Sequence, residues 1–364
     1  MKIFFVRRLL YILLIILPFL SFSQEKQVKE KKVNFAFIPI VSYNNSFGAQ
    51  LGLMSNMYYN ISQKDTISPA SVVGLMGTYF INGTYFAGVF AKNYFNEDKW
   101  RTNIIFFNGN IEFQTYINYP EMILSYVDED GVFLDYNTKF NFILLEGQRK
   151  IFNHFYLGIR ILYDHVSTDF ETELIPTSKQ VDDLTGLGGI INYDTRDNVM
   201  NPKKGMNAKI ATFSFLESLG STSEYHKIET QVNKYFLLTK QSLIMARFYS
   251  VISVGEVPFS GQNIVGRDDL RGYSNGKYRA KQVYNIQTEY RWNFYKKWGL
   301  VAFGGLAVAT DNLKGDNYSG VLPAIGTGVR FMAIPSRGIN VGMDVALGKE
   351  DWGLYFRIGE VFTR

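Results

Sequence analysis

The chain has 364 residues, 46% hydrophobic and 20% charged, with 38 Lys plus Arg against 33 Asp plus Glu. It contains no cysteine, which excludes a disulfide framework and any thiolate metal site. Setting aside residues 1–23, with three cations and no anion, leaves 35 cations against 33 anions, so the basic pI of about 9.0 carries no nucleic-acid signal.

In chain order, Lys2, Arg7 and Arg8 precede an apolar run from Leu9 to Leu20, then Ser21-Phe22-Ser23 and polar Gln24-Glu25-Lys26. This is the layout of a secretory signal peptide, expected over residues 1–23 with small residues at the cleavage site. An uncleaved anchor is the alternative, but the run falls short of the roughly 20 apolar residues a spanning helix needs. Residues 24–32 read as a short periplasmic lead-in with no room for a folded domain, and residues 33–364 as one barrel.

Aromatic residues make up 16% of the chain, including 24 Tyr and 30 Phe, and no second apolar run is long enough for a membrane helix. An exported chain of this kind is a candidate transmembrane β-barrel. From residue 33 onward the spacing predicts an all-β protein of sixteen extended runs. These fall at about 33–43, 47–59, 71–81, 84–95, 99–115, 132–148, 154–170, 186–196, 205–217, 223–238, 241–255, 282–294, 298–309, 321–333, 338–348 and 351–362. In the run 282–294, Tyr284, Ile286, Tyr290, Trp292 and Phe294 share one face, while Asn285, Gln287, Glu289 and Arg291 share the other. One face suits hydrocarbon and the other water. A soluble β-sandwich produces the same alternation, but the aromatic load and runs that meet the about 9–11 residues a tilted strand needs favour the membrane. An even strand number puts both ends on the periplasmic side and the longer connections, 117–131, 171–185, 256–281 and 311–320, on the other.

Catalytic material is sparse. His154, His165 and His226 are scattered, and Asp128-Glu129-Asp130-Gly131 lacks the ligand spacing of a calcium loop. We therefore expect no catalytic residue, no metal and no cofactor, and as partners outer-membrane lipid and a periplasmic or outer-membrane protein, not nucleic acid.

The connection 256–281 is too long for a hairpin turn, and its segment Val265–Lys281 holds five cations and three glycines. With Arg267, Arg271 and Arg279 close in sequence, it is expected to fold against something acidic and enclosed, namely the barrel lumen. By strand parity Arg160, Asp164, Asp194, Arg196, Glu289, Arg291, Arg330, Asp344 and Arg357 all point inward.

Leu270-Arg271-Gly272-Tyr273 resembles the lumen-loop motif of the BamA/TamA-type outer-membrane proteins, the bacterial surface antigen family. A second stretch, Tyr193-Asp194-Thr195-Arg196-Asp197-Asn198 with Pro202 and Gly205, is similar to that family's motif at the end of the eighth strand. Tyr355, Phe356, Ile358, Gly359 and Phe362 resemble the terminal strand by which such barrels are recognised for insertion. The resemblance covers essentially all of residues 33–364 and implies a sixteen-stranded barrel that assembles or translocates proteins or lipids at the outer membrane. It further implies that Arg271 pairs with Glu289 and with Asp344. Two departures stand out. Gly305 occupies the position where the family carries an aspartate, and the periplasmic POTRA domains that receive clients are not expected here. A small plugged pore or structural protein that kept the fold is the second reading. Pro39 in the first run donates no ladder hydrogen bond, which suggests a weak seam between first and last strands.

Overall fold

The computed structural model describes residues 33–44, 48–117, 132–170, 179–266, 269–273, 277–312 and 318–362. The expected signal segment 1–23, the lead-in 24–32, Asp128-Glu129-Asp130-Gly131 and Arg267 lie outside these residues.

Eleven wall strands come first: β1 (Val33–Asn44), β2 (Gly48–Tyr59), β3 (Ser71–Phe80), β4 (Tyr85–Phe95), β5 (Trp100–Ile117), β6 (Val132–Phe152), β7 (Phe155–Phe170), β8 (Lys179–Asp194), β9 (Gly205–Phe215), β10 (Tyr225–Leu237) and β11 (Ser242–Gly255). A two-residue ribbon, β12 (Asn263–Ile264) with β13 (Arg279–Ala280), lies within the next connection. Five strands complete the wall: β14 (Gln282–Tyr295), β15 (Trp298–Thr310), β16 (Leu322–Ile334), β17 (Ile339–Gly348) and β18 (Asp351–Ile358). Neighbours pair antiparallel in chain order, β11 beside β14, and β18 returns to β1 to close the barrel.

The faces follow the alternation in the sequence. On β14, Val283, Asn285, Gln287 and Glu289 are at most 3% exposed, whereas Ile286, Tyr290 and Trp292 are 53%, 39% and 43% exposed. A sandwich would bury the apolar face; here the apolar face points out and the ionic face in, which is the arrangement hydrocarbon demands.

Three boundaries differ from expectation by four residues or more, the first being the end of β6, at Phe152 and not 148. β8 begins at Lys179, not 186, with Lys179 opposite Asp169 of β7. The stretch Lys179–Asp183 looks like loop because β5 to β8, at 16 to 21 residues, rise past the hydrocarbon and meet water on both faces. β18 stops at Ile358 instead of running to 362.

The seam is short. β1 pairs with β2 from Val33 opposite Tyr59 to Asn44 opposite Gly48, but among the described residues it meets β18 through one bridge, Asn44 opposite Gly353. That bridge lies at the end with the long connections; toward the chain termini the two strands part.

At the terminal end, Asp65 ties two turns together: Oδ1 accepts the amides of Ile67 and Ser68, and Oδ2 accepts the Ser68 hydroxyl and the Glu97 amide. The Ser68 hydroxyl and amide hold this carboxyl below its ordinary value of 3.8, at about 2. A depressed folded-state pKa means the stabilisation is present above the ordinary value and is lost as pH falls through 2. Protection of the Ser68 and Glu97 amides, read as exchange relative to an unprotected amide at the same pH, should therefore fall between about pH 4 and 2, and Asp65→Asn should show that lower protection at neutral pH.

Candidate functional site

The connection between β11 and β14 is fastened to two opposite stretches of the inner wall. Its first anchor is Leu270-Arg271-Gly272-Tyr273. Arg271 is fully buried. Its Nη2 donates to Glu289 Oε2 at 2.6 Å and to Gln287 Oε1 at 2.7 Å, its Nε to the same Gln287 oxygen at 3.1 Å, and its Nη1 to Asp344 Oδ2 at 2.8 Å. The planar fork thus engages β14 and β17 at once, which a point charge on lysine could not do. The Phe303 ring lies 3.3 Å from the guanidinium carbon, covering its face.

Around this centre the wall supplies further charges. Arg291 Nε donates to Glu289 Oε1 at 2.6 Å, Arg330 bonds Asp344, and Arg357 Nε lies 3.0 Å from Asp344 Oδ2. Gly272 has φ 108°, and a Cβ there would sit 2.8 Å from the Leu347 carbonyl carbon, so only glycine lets the chain approach β17 this closely. Its amide donates to Tyr355 Oη at 2.8 Å. The Tyr273 hydroxyl donates to the Pro323 carbonyl at 2.6 Å and accepts the Lys349 amide at 2.9 Å.

Leu270 explains the missing acid. It packs with Val283, Ala307 and Leu322, and a Cβ on Gly305 would lie 2.9 Å from its Cδ1 and 2.6 Å from the Ile286 carbonyl. The wall opposite a leucine at 270 has no space for a carboxylate. Gly305→Asp should displace Leu270 and lower stability by about 1–3 kcal/mol through overpacking, measured as the urea midpoint of the refolded barrel, with Gly305→Ala less severe.

The second anchor is Phe259, whose ring meets Tyr136 edge-on at 5.2 Å and Phe170 at 5.0 Å. Arg279 stacks over Phe259 at 4.1 Å and donates to its carbonyl at 2.7 Å. The expectation that Arg279 shares the acidic site of Arg271 is therefore corrected: the β12–β13 ribbon carries it to the aromatic anchor. Ser260 Oγ donates to Asp182 at 2.6 Å, and Arg247 of β11 pairs with Asp269.

The other sequence motif forms a separate cluster near the chain termini. Asp194 accepts from Arg196 Nε and Nη2, both at 2.8 Å, and from Arg101 Nη1 at 2.7 Å. Arg101 also holds Asp98, which accepts the Tyr156 hydroxyl at 2.6 Å. Asp197 Oδ1 accepts the Lys203 and Lys204 amides, shaping the turn that contains buried Pro202 and returns at Gly205, where φ is 99°. Sequence reasoning missed Asp98 and Arg101: Asp98 sits in a turn, set by the Ser68 hydroxyl on its amide, and no local pattern links residues 98 and 194.

The C-terminus holds the second surprise. Tyr355 projects into the bore to reach Gly272, and Phe356 and Ile358 alternate on β18 with inward Tyr355 and Arg357. Gly359, at φ 81°, then turns the chain out of the sheet. Phe362 is not a strand residue: it is 3% exposed inside the barrel, packed with Tyr235, Leu243 and Met245, and its carbonyl accepts from Asn233 Nδ2 and the Tyr235 hydroxyl at 2.9 and 3.0 Å. Glu360 joins the Arg271 cluster, accepting from Arg330 Nε at 3.2 Å and lying 3.5 Å from Arg291.

A closed antiparallel wall, apolar outside and ionic inside, defines a transmembrane β-barrel of the outer-membrane type. The chain belongs to the Omp85 superfamily, whose domain model matches residues 47–331; it is an outer-membrane protein of a Gram-negative bacterium. Among solved structures it is similar to BamA from Haemophilus ducreyi lacking POTRA domains 1–3, at TM-score 0.56 and 14% identity, covering 90% of this chain and 70% of that one. CdiB from Acinetobacter baumannii matches at TM-score 0.59 and 11% identity over 90% of this chain and 60% of its own, and CdiB from Escherichia coli at 0.62 and 11% over 92% and 63%. No curated protein sequence matches.

Proposed function

We propose that this barrel assembles or translocates proteins at the outer membrane by parting its wall between β1 and β18, with clients delivered by a partner protein. The observation that supports it is that, among the described residues, the seam has the one bridge between Asn44 and Gly353, set against full-length pairing between β1 and β2. A pair of edges with unmade ladder bonds offers an incoming strand the hydrogen bonds it needs in hydrocarbon. The connection carrying Arg271 keeps the bore filled while the seam works. Extending the antiparallel register from the bridge sets Val41 against Phe356, so a Val41→Cys, Phe356→Cys pair would lock the seam. Locked barrel should lose assembly activity in cells and recover it on reduction. Undiminished activity with the seam locked overturns the reading.

A passive, plugged barrel is the second reading, favoured by the fastening of the β11–β14 connection at both Arg271 and Phe259. It predicts no change in outer-membrane protein levels when the protein is depleted.

A further inference from the structure

The outward surface of β10, β11, β14 and β15 carries a trough of about 550 Å³ that none of the foregoing uses. Its floor is one row of laterally paired residues: Lys234 faces Ala246, Ala246 faces Thr288, and Thr288 faces Gly304. The adjacent row is bulky, Phe248 opposite Ile286 opposite Leu306, each 40–53% exposed. On the other side stand Ile244 and Tyr290. The low row of Ala246, Thr288 and Gly304 beside the ridge of Phe248, Ile286 and Leu306 leaves a furrow. Three inter-strand spacings give it a length of about 14 Å, close to half the roughly 30 Å hydrocarbon thickness of a bilayer.

The furrow ends at a cation. Asn233 and Tyr235 are buried inside, so Lys234 faces the lipid, three residues before β10 ends at Leu237 on the terminal side. Among the described residues no carboxylate pairs with it, and its Nζ lies 5.9 Å from the Phe236 ring, directed toward that end of the strand. A lysine on an apolar wall extends its stem along the surface and brings its ammonium to the headgroup level.

We propose that this furrow is a binding site for an anionic phospholipid of the periplasmic leaflet, one acyl chain lying over Ala246, Thr288 and Gly304 and the anionic headgroup held by Lys234. The site is independent of the seam. Gly304 tests it cleanly, because a Cβ there meets only the Ala324 carbonyl oxygen, at 3.4 Å, and the rest of a larger side chain would fill the furrow without entering the wall. Gly77 is the control: it also faces outward, on β3, with only the Ala87 Cβ within 4.0 Å.

The experiment is native mass spectrometry of the purified barrel with phosphatidylglycerol or phosphatidylcholine of identical chains. Folding of each variant is checked by heat-dependent gel migration. Wild type should retain one lipid at activation energies that strip the others. Lys234→Gln should lower retention of phosphatidylglycerol about fivefold relative to phosphatidylcholine, the size of one lysine contact at an anionic surface. Gly304→Leu should lower both lipids, and Gly77→Leu neither. Wild-type retention in Gly304→Leu, or equal losses in Gly304→Leu and Gly77→Leu, overturns the proposal; loss in Gly304→Leu with no headgroup effect of Lys234→Gln overturns the assignment of Lys234 to an anionic headgroup.

Discussion

Replacing Arg271 by alanine should free the β11–β14 connection from the inner wall and cost about 3–5 kcal/mol, the range for removing one partner from a buried charge cluster. The magnitude follows from what is left behind. Glu289 and Asp344 are fully buried, and without Arg271 the Gln287 carbonyl oxygen also loses its donor. Arg291, Arg330 and Arg357 still face the two carboxylates, so the wall should close, but residues 269–273 are left with weaker ties, among them the Arg247–Asp269 pair, the packing of Leu270 and the hydrogen bonds of Gly272 and Tyr273. Limited proteolysis should cut between 256 and 281 in the variant and not in wild type. Single-channel recordings should show larger, noisier openings. Arg271→Lys should fall between the two, since an ammonium restores charge but cannot span Gln287, Glu289 and Asp344 together. A variant with wild-type protease resistance would mean that Phe259 and the contacts of Asp269, Leu270, Gly272 and Tyr273 suffice to hold the connection.

The second large effect is expected at the C-terminus. Phe362→Ala should destabilise the refolded barrel by about 3–5 kcal/mol, as for a buried phenylalanine. Its ring fills the pocket of Tyr235, Leu243 and Met245 and lies 4.8 Å from the Arg247 guanidinium. Glu360→Gln should act on the same element by a different route, removing the charge that faces Arg330 and Arg291 while keeping the shape. By the register of the bridge, a tail released from the lumen would lie along β1 with Glu360 opposite Phe37. Strand parity would then turn Glu360 to the lipid, where a carboxylate is costly. The Glu360 side chain therefore favours the tail inside the lumen, where it faces Arg330 and Arg291. Hydrogen exchange at Asn233, Tyr235 and Phe362 should rise in both variants, and the Val41–Phe356 cysteine pair should crosslink faster. Unchanged exchange in both would show that the tail bears no load.

These two elements also mark the limit of what local pattern reveals. A strand shows its faces because its side chains alternate with period two and the two solvents differ completely, so the sixteen runs and the inward direction of Glu289, Arg291, Arg330 and Asp344 are readable from residue order. Arg271 stands out as a cation in a loop too long and too charged to be a plain turn. Where the alternation fails to separate solvents, as at Lys179–Asp183 above the hydrocarbon, the strand hides. Gly305 looked like a lost acid until Leu270 was seen to occupy its space.

Residue order by itself therefore determined the class of wall, the strand number and which charges face the bore, because each depends only on spacing and on lipid outside against water inside. The tertiary structure decided which charges meet. Arg101 of β5 finds Asp194 of β8, Glu360 finds Arg330 after the chain leaves the sheet at Gly359, and Arg279 goes to Phe259 instead of to the acids beside Arg271. Such pairings depend on how the closed wall positions residues far apart in sequence, and on long arginine side chains that choose among several carboxylates within reach.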